Sequence, residues 1–219
     1  MIFEIDNIEL YYSEKRILNG IYLKAETGKV TGILGSNGCG KSSLLNIIFG
    51  SLNPKFKLIR IDGKPILKPL YKTKLIKYLP QHAIIPKHIK LKAVFSLFKV
   101  DWNAFETLFE SFSIYKNINI NKLSGGEQRL AETYLLLKSP SEIVLLDEPF
   151  SHLSPIYIET INAIIEESKK HKAIIVTDHM YRHIIDISDD IYLLKNGCTK
   201  LIDNILELED YKYLSVDSI

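Results

Sequence analysis

Residues 32–40, GILGSNGCG, place four glycines in nine positions, directly before Lys41, Ser42, Ser43 and the apolar-periodic run LLNIIF. Glycine loses more conformational freedom on ordering than any other residue. A loop that keeps four of them therefore uses backbone geometry closed to ordinary side chains. The apolar segment KVTGILG (Lys29–Gly35) leads into it as a strand, and Lys41–Phe49 follows as a helix with Gly50 as its stop. Strand, glycine loop and helix in that order restrict the chain to an α/β architecture.

The rest of the chain extends this pattern. EIVLLDEP and KAIIVTDH contain continuous apolar runs, as expected of strands covered on both faces of a parallel sheet. KLIRID (57–62) and IKYLPQ (Ile76–Gln81) read as further strands, with a turn at Gly63–Pro65 after the first. SPIYIETINAIIEESKKH (Ser154–His171) opens a helix with a capping serine and a proline at the first helical position. DDIYLLKNGCTKLID predicts a terminal hairpin across Asn196–Gly197. At the N-terminus, MIFEIDNIEL, with Ile2, Glu4, Asp6, Ile8 and Leu10 among alternating residues, and GIYLKAE (Gly20–Glu26) predict antiparallel strands with one solvated face. Between Gln81 and Leu123 the texture changes. Val94, Phe95, Leu97, Phe98, Trp102, Phe105, Leu108, Phe109 and Phe112 recur at helical spacing, so His88–Phe112 reads as a small helical insert with its own apolar core.

Gly35, Gly40, Lys41 and Ser42 fit G-x-x-x-x-G-K-[ST] in the strand–loop–helix setting that pattern requires. Ser36, Asn37, Gly38 and Cys39 fill the loop, whose successive N–H groups can turn inward onto phosphate oxygens; Ser43 follows in the first helical turn. The helix adds its positive end, Lys41 a point charge for the β/γ-phosphates, and the Ser42 hydroxyl a hard ligand for Mg²⁺. The chemistry predicted is nucleoside triphosphate binding. Asp147 ends an apolar strand, where a carboxylate can hold Mg²⁺, and Glu148 follows at once, pointing elsewhere in an extended chain and free to address an attacking water. Ser124, Gly125 and Gly126 precede another helix and form a second anion-binding helix end, or else simply cap it.

These segments resemble the ATP-binding cassette family over essentially the whole chain. LSGGEQRL (Leu123–Leu130) resembles the family's signature, YLPQ ending at Gln81 its Q-loop, LLDEPFSHLS its Walker B and D-loop, and VTDH ending at His179 its switch histidine. The resemblance implies one cassette over residues 1–219: a phosphate-loop NTPase with a mainly parallel core sheet, an N-terminal antiparallel β-subdomain and a small α-helical subdomain at about 82–130. It implies ATP and Mg²⁺ as ligands, with Tyr12 stacked on adenine and Tyr11 facing away. It also implies Gln81 as a further Mg²⁺ ligand, and His179 hydrogen-bonded to the γ-phosphate. Lys41, Glu148 and His179 would be the catalytic set. ATP would lie between the glycine loop of one copy and Ser124–Gly126 of another in a head-to-tail dimer, of identical or related chains. Two features depart from the family. Ser154 stands where aspartate is usual, and Cys39 sits in the loop, where a helix N-terminus should ease ionisation of its thiol.

Composition narrows the biological setting. From Lys55 to Lys99 there are twelve basic residues against Asp62 alone, leaving sixteen basic and twenty-five acidic residues elsewhere. That stretch is a solvated lysine-rich face, or a surface for anionic lipid or an acidic partner. No run approaches the length of a transmembrane helix. The start does not read as a targeting segment, and two cysteines give no disulfide framework, so a reduced cytosolic setting is expected. The resemblance then implies an energising subunit held at the inner face of the membrane by a separately encoded permease, with no nucleic acid as partner. The alternative is a soluble cassette ATPase of the iron–sulfur-assembly or translation-associated kind.

Overall fold

The structure, a computed structural model, describes residues 1–211 and 213. A six-stranded sheet has the order β10-β9-β3-β8-β7-β6, formed by Val30–Leu34 (β3), Ile76–Leu79 (β6), Ile143–Asp147 (β7), Ala173–Thr177 (β8), Asp190–Lys195 (β9) and Cys198–Ile202 (β10). All its pairings are parallel except that of β10 with β9. The predicted hairpin turn is present: Asn196 and Gly197 both have positive φ, as a two-residue turn matched to strand twist requires. The second sheet is antiparallel, with order β2-β1-β4-β5, from Ile2–Tyr12 (β1), Lys15–Glu26 (β2), Phe56–Ile61 (β4) and Lys64–Pro65 (β5).

The two apolar cores explain the continuous runs. In β7, Ile143 and Leu145 face the core shared with helix α1 (Lys41–Phe49) and the antiparallel sheet. Val144 and Leu146 face the other core, shared with helices α4 (Gly125–Lys138), α5 (Pro155–Lys169) and α6 (Tyr181–Ile187). β8 alternates in the same way, so neither strand has a solvated face. β1 departs from simple alternation. Phe3 and Ile5 are buried, then Ile8 and Leu10, because the register shifts at Asn7, whose φ of 49° lies in the left-handed region.

The insert holds helices α2 (Leu91–Phe98) and α3 (Trp102–Leu108), followed by 3₁₀ turns at Glu110–Tyr115 and Ile120–Lys122. Lys99, with φ 58°, ends the first helix, and Asp101 caps the second through the Asn103 and Ala104 amides. Phe105 is the hub of its core, with ring centroids 4.8–5.0 Å from Phe95, Phe109, Phe112 and Tyr134 of α4. Leu97 and Leu108, expected in that seam, lie outside it at 72% and 50% exposure. The chain breaks at Lys99 and tightens to 3₁₀ after Leu108, so one helical period does not run through. A second expectation also changes. Ser154 occupies the N-cap position of α5, but its hydroxyl makes no capping hydrogen bond. The start is held instead by Pro155 and by the Ser154 carbonyl, which accepts from the Tyr157 and Ile158 amides.

Candidate functional site

The glycine loop crosses from β3 to α1 at the carboxyl end of the parallel strands, where open α/β sheets form their ligand crevices. Gly40, the residue before the helix, has φ 113°, and a Cβ there would stand 3.0 Å from Leu18 Cδ2. The conformation requires glycine, and a side chain there would also crowd Leu18 and Ile17. Lys41 is buried, and its Nζ donates to the carbonyls of Gly35 at 2.7 Å and Ser36 at 3.2 Å, drawing the loop into a ring. Beside it opens a cleft of about 610 Å³ lined by Tyr12, Lys41, Ser42, Gln81, Glu148 and His179, with Asn37, Gly38, Gly40 and Ser43 on its loop side. Tyr12 is exposed there, its hydroxyl 3.5 Å from Ser43 Oγ, whereas Tyr11 lies outside the cleft under the Lys55 ammonium.

Asp147 is only 1% exposed. Its Oδ2 accepts from the Tyr78 hydroxyl at 3.2 Å, which itself accepts from Asn46 Nδ2 at 3.2 Å; that amide also donates to the Ser42 carbonyl at 2.8 Å. Oδ1 is buried without a hydrogen-bond partner. Burial pushes the Asp147 carboxyl above the usual carboxylate range, against the pull of the Ser42 and Tyr78 hydroxyls. A buried carboxylate oxygen that accepts no hydrogen bond of full geometry, with the Ser42 hydroxyl close to the same carboxylate, fits a hard divalent cation taking oxygen ligands.

Glu148 adopts φ 59°, costly for a glutamate, and its amide is held by the Thr177 carbonyl at 2.7 Å. The turn swings its carboxylate away from Asp147 and into the cleft. Gln81 Nε2 donates to Oε1 at 2.9 Å, Ser151 Oγ to Oε2 at 3.3 Å, and His179 Nδ1 lies 3.7 Å from Oε2. The same His179 nitrogen is 3.2 Å from Asp178 Oδ1. Asp178 is fully buried and pins its segment by accepting from the Phe150 and Met180 amides. Asp178, Tyr78 and Asn46 were not singled out from the sequence. Asp178 carries a sequence signal, as a charged residue directly after a largely apolar strand, while the other two are recognisable only through Asp147.

Ser124–Gly126 do not line this cleft. Ser124 Oγ accepts from the Glu127 amide at 3.2 Å while the Glu127 carboxylate accepts from the Ser124 amide at 2.7 Å, a reciprocal capping box. Gly125 borders an adjoining cleft of about 230 Å³ that also reaches Gln81 and Glu148, and a Cβ on Gly125 would meet nothing within 4 Å. Gly126 is the opposite case: a Cβ would lie 2.3 Å from the His152 carbonyl oxygen. Gly126→Ala is therefore expected to displace the Ser151–Leu153 turn and lower ATP hydrolysis at least tenfold, whereas Gly125→Ala leaves the melting temperature unchanged. Parallel melting and phosphate-release curves check the pair.

The expectation of an easily ionised Cys39 is overturned. Its thiol packs against Gly35 and the edge of the α1 core rather than in the cleft, and burial pushes its pKa up, outweighing Lys41 and the helix-end amides. Alkylation at Cys39 should be slow at neutral pH, rise through the alkaline range, and be slowed by ATP, with exposed Cys198 reacting first. Peptide mass mapping against pH reads both sites.

Comparison with known proteins agrees with this geometry. The family model described as ABC transporter matches residues 18–151. An uncharacterized ABC transporter ATP-binding protein of Methanocaldococcus jannaschii is 34% identical over 90% of this chain and 84% of its own length. The lipopolysaccharide export system ATP-binding protein of Escherichia coli is 30% identical over 87% and 86%. Among solved structures, an ATP-binding subunit of an ABC transporter superposes with a TM-score of 0.81 at 20% identity, covering 99% of this chain and 97% of that one. A nucleotide-free cassette from an ABC transporter gives 0.75 at 24%, covering 98% and 96%. The loop, the two carboxylates and the signature helix thus sit on the fold those sequences share, and the chain belongs to the ABC transporter family as an ATP-binding, ATP-hydrolysing cassette.

Proposed function

We propose that this cassette is the energising subunit of a transporter, hydrolysing ATP between two head-to-tail copies to drive a separately encoded permease at the inner face of the membrane. The observation that carries the reading is the division of groups between two surfaces. The glycine loop, Lys41, Gln81, Glu148 and His179 line one cleft, with Asp147 buried next to Glu148, while the open Gly125 face borders an adjoining cleft. A second copy supplies what each cleft lacks.

In this reading Tyr12 stacks on adenine, and the amides of residues 36–43 with Lys41 bind the phosphates. Asp147, Ser42 and Gln81 hold Mg²⁺, which when bound neutralises developing phosphate charge. Glu148, freed from the Gln81 amide when that side chain turns to its other task, orients the water for in-line attack and takes up its proton. His179, steadied by Asp178, donates to the γ-phosphate. Ser124, Gly125 and Gly126 of the second copy close over it.

Transport rather than soluble assembly work is favoured by the relatives, which carry transporter-component names, and by a groove of about 540 Å³ running past the Gln81 loop. Its floor includes Phe49, Tyr71 and Phe98, and Lys74 and Lys77 stand on its rim. An apolar floor under lysines suits a permease segment with an apolar face and flanking carboxylates. Detergent-solubilised membranes should yield a multi-span protein on the tagged chain, and the Lys74→Glu/Lys77→Glu double reversal should lose it while the melting curve is kept. Isolation of soluble partners only would overturn the transporter reading.

A further inference from the structure

Helix α4 carries two charged side chains that are almost completely buried, Arg129 at 7% and Glu132 at 1% exposure. They stand three residues apart on one helix face, and most of their hydrogen bonds go to backbone of other segments. Arg129 Nη1 donates to the Pro80 carbonyl at 2.6 Å, Nε to the Glu148 carbonyl at 3.1 Å, and Nη2 to the Asp147 carbonyl. Glu132 Oε1 accepts from the Ile84 amide at 2.9 Å, the Ile85 amide at 3.2 Å and Gln128 Nε2 at 3.2 Å. The Gln81 loop is therefore tied to α4 at both ends, at Pro80 before the glutamine and at Ile84–Ile85 after it. Between those ties Gln81 donates to Glu148, whose own carbonyl is held by the same arginine.

We infer that Arg129 and Glu132 are positioning residues that make the signature helix, the Gln81 loop and the Glu148 backbone move as one unit. The inference rests on the roles given above to Gln81 and Glu148. Burying two opposite charges is expensive, and apolar side chains of similar volume would pack a helix at least as well. What an apolar pair cannot do is hold three carbonyls and two amides from separate segments in fixed register. Since Ser124 caps the N-terminus of α4, a phosphate engaged at that turn by a neighbouring copy is linked to Gln81 and to the water-orienting carboxylate by hydrogen bonds through the helix. Linkage of this kind is reciprocal, so a change at the Gln81 loop also biases the signature turn.

A double-mutant cycle on ATP hydrolysis by the full chain tests this. Glu132→Leu keeps the volume and removes the acceptor; it should lower kcat about tenfold with KM for ATP within about twofold, and Glu132→Gln, which keeps an acceptor oxygen, should restore most of the loss. Combined with Gln81→Ala, Glu132→Leu should cost little beyond Gln81→Ala alone, because both act through one side chain. Losses that multiply in the double variant, or a kcat loss matched by a raised KM and a lower melting temperature, would make Glu132 a packing residue and overturn the inference. If Glu132→Leu does not fold, Arg129→Lys, which cannot span the three carbonyls, takes its place in the cycle with the same two readings. A Gln81→Ala variant with normal kcat would remove Gln81 from catalysis and take the inference with it. Normal turnover by Glu132→Leu beside an impaired Gln81→Ala would sink the inference alone.

Discussion

Glu148→Gln is expected to reduce ATP hydrolysis by about 10²–10³-fold while ATP affinity stays within a few-fold of the original. The substitution is isosteric, and the left-handed backbone at 148 is set by the Thr177 carbonyl and the Arg129 guanidinium rather than by the side chain. One oxygen remains to accept from the Gln81 amide, so the resting cleft keeps its shape. In the proposed role of Glu148, what disappears is the negative charge that would polarise water and the site that would take its proton. Binding, which the proposal assigns to the loop amides and Lys41, should be untouched by that loss. The ATP complex should therefore accumulate, and size-exclusion with light scattering should show mass doubling on ATP addition in the variant and only transiently in the parent. Near-normal phosphate release would remove Glu148 from its role. Lost turnover without any mass change would leave hydrolysis intact as a reading but contradict the head-to-tail pair.

The elements carrying the site were legible because each follows a local rule. A glycine loop between an apolar strand and a helix, a carboxylate pair ending a fully apolar strand, and an Asn–Gly turn between alternating segments all announce themselves within about ten residues. The misreadings share a different origin. Burial of Cys39 comes from packing on Gly35, the parity change in β1 from one left-handed residue at Asn7, and the exposure of Leu97 and Leu108 from a helix break at Lys99. Arg129 was visible as part of a motif, but its task depends on carbonyls at Pro80 and Asp147, segments joined to it only by the tertiary fold. The unpartnered Asp147 oxygen likewise exists only once Tyr78 and Asn46 have taken up the other side of that carboxylate. The sequence names groups; packing decides which of their atoms are left to work.

Asp147→Asn should separate stability from activity in opposite directions. Burial holds the native carboxyl above the ordinary aspartate range, so its ionised form is disfavoured in the folded chain. The sign follows from linkage: a carboxyl with a raised folded pKa contributes stability below the unfolded value of about 3.9 and loses it as pH rises through the folded value. At neutral pH the native residue is therefore a cost, carried for what its free oxygen can bind. Asparagine keeps an acceptor for the Tyr78 hydroxyl and removes the charge, so the melting temperature should rise by about 2–4 °C at pH 7, the equivalent of roughly 1 kcal/mol in a chain of this size. The gain should shrink as the pH falls and the native carboxyl takes up its proton, and be gone below the unfolded value. Hydrolysis should fall by about 10³-fold, because an amide is a far weaker partner for Mg²⁺, and the extra thermal stability that Mg²⁺ adds to the ATP-bound parent should be absent. A variant less stable than the parent at pH 7 would mean that Arg129 and the two hydroxyls already compensate the charge, and that the bare oxygen is not being held ready for a cation.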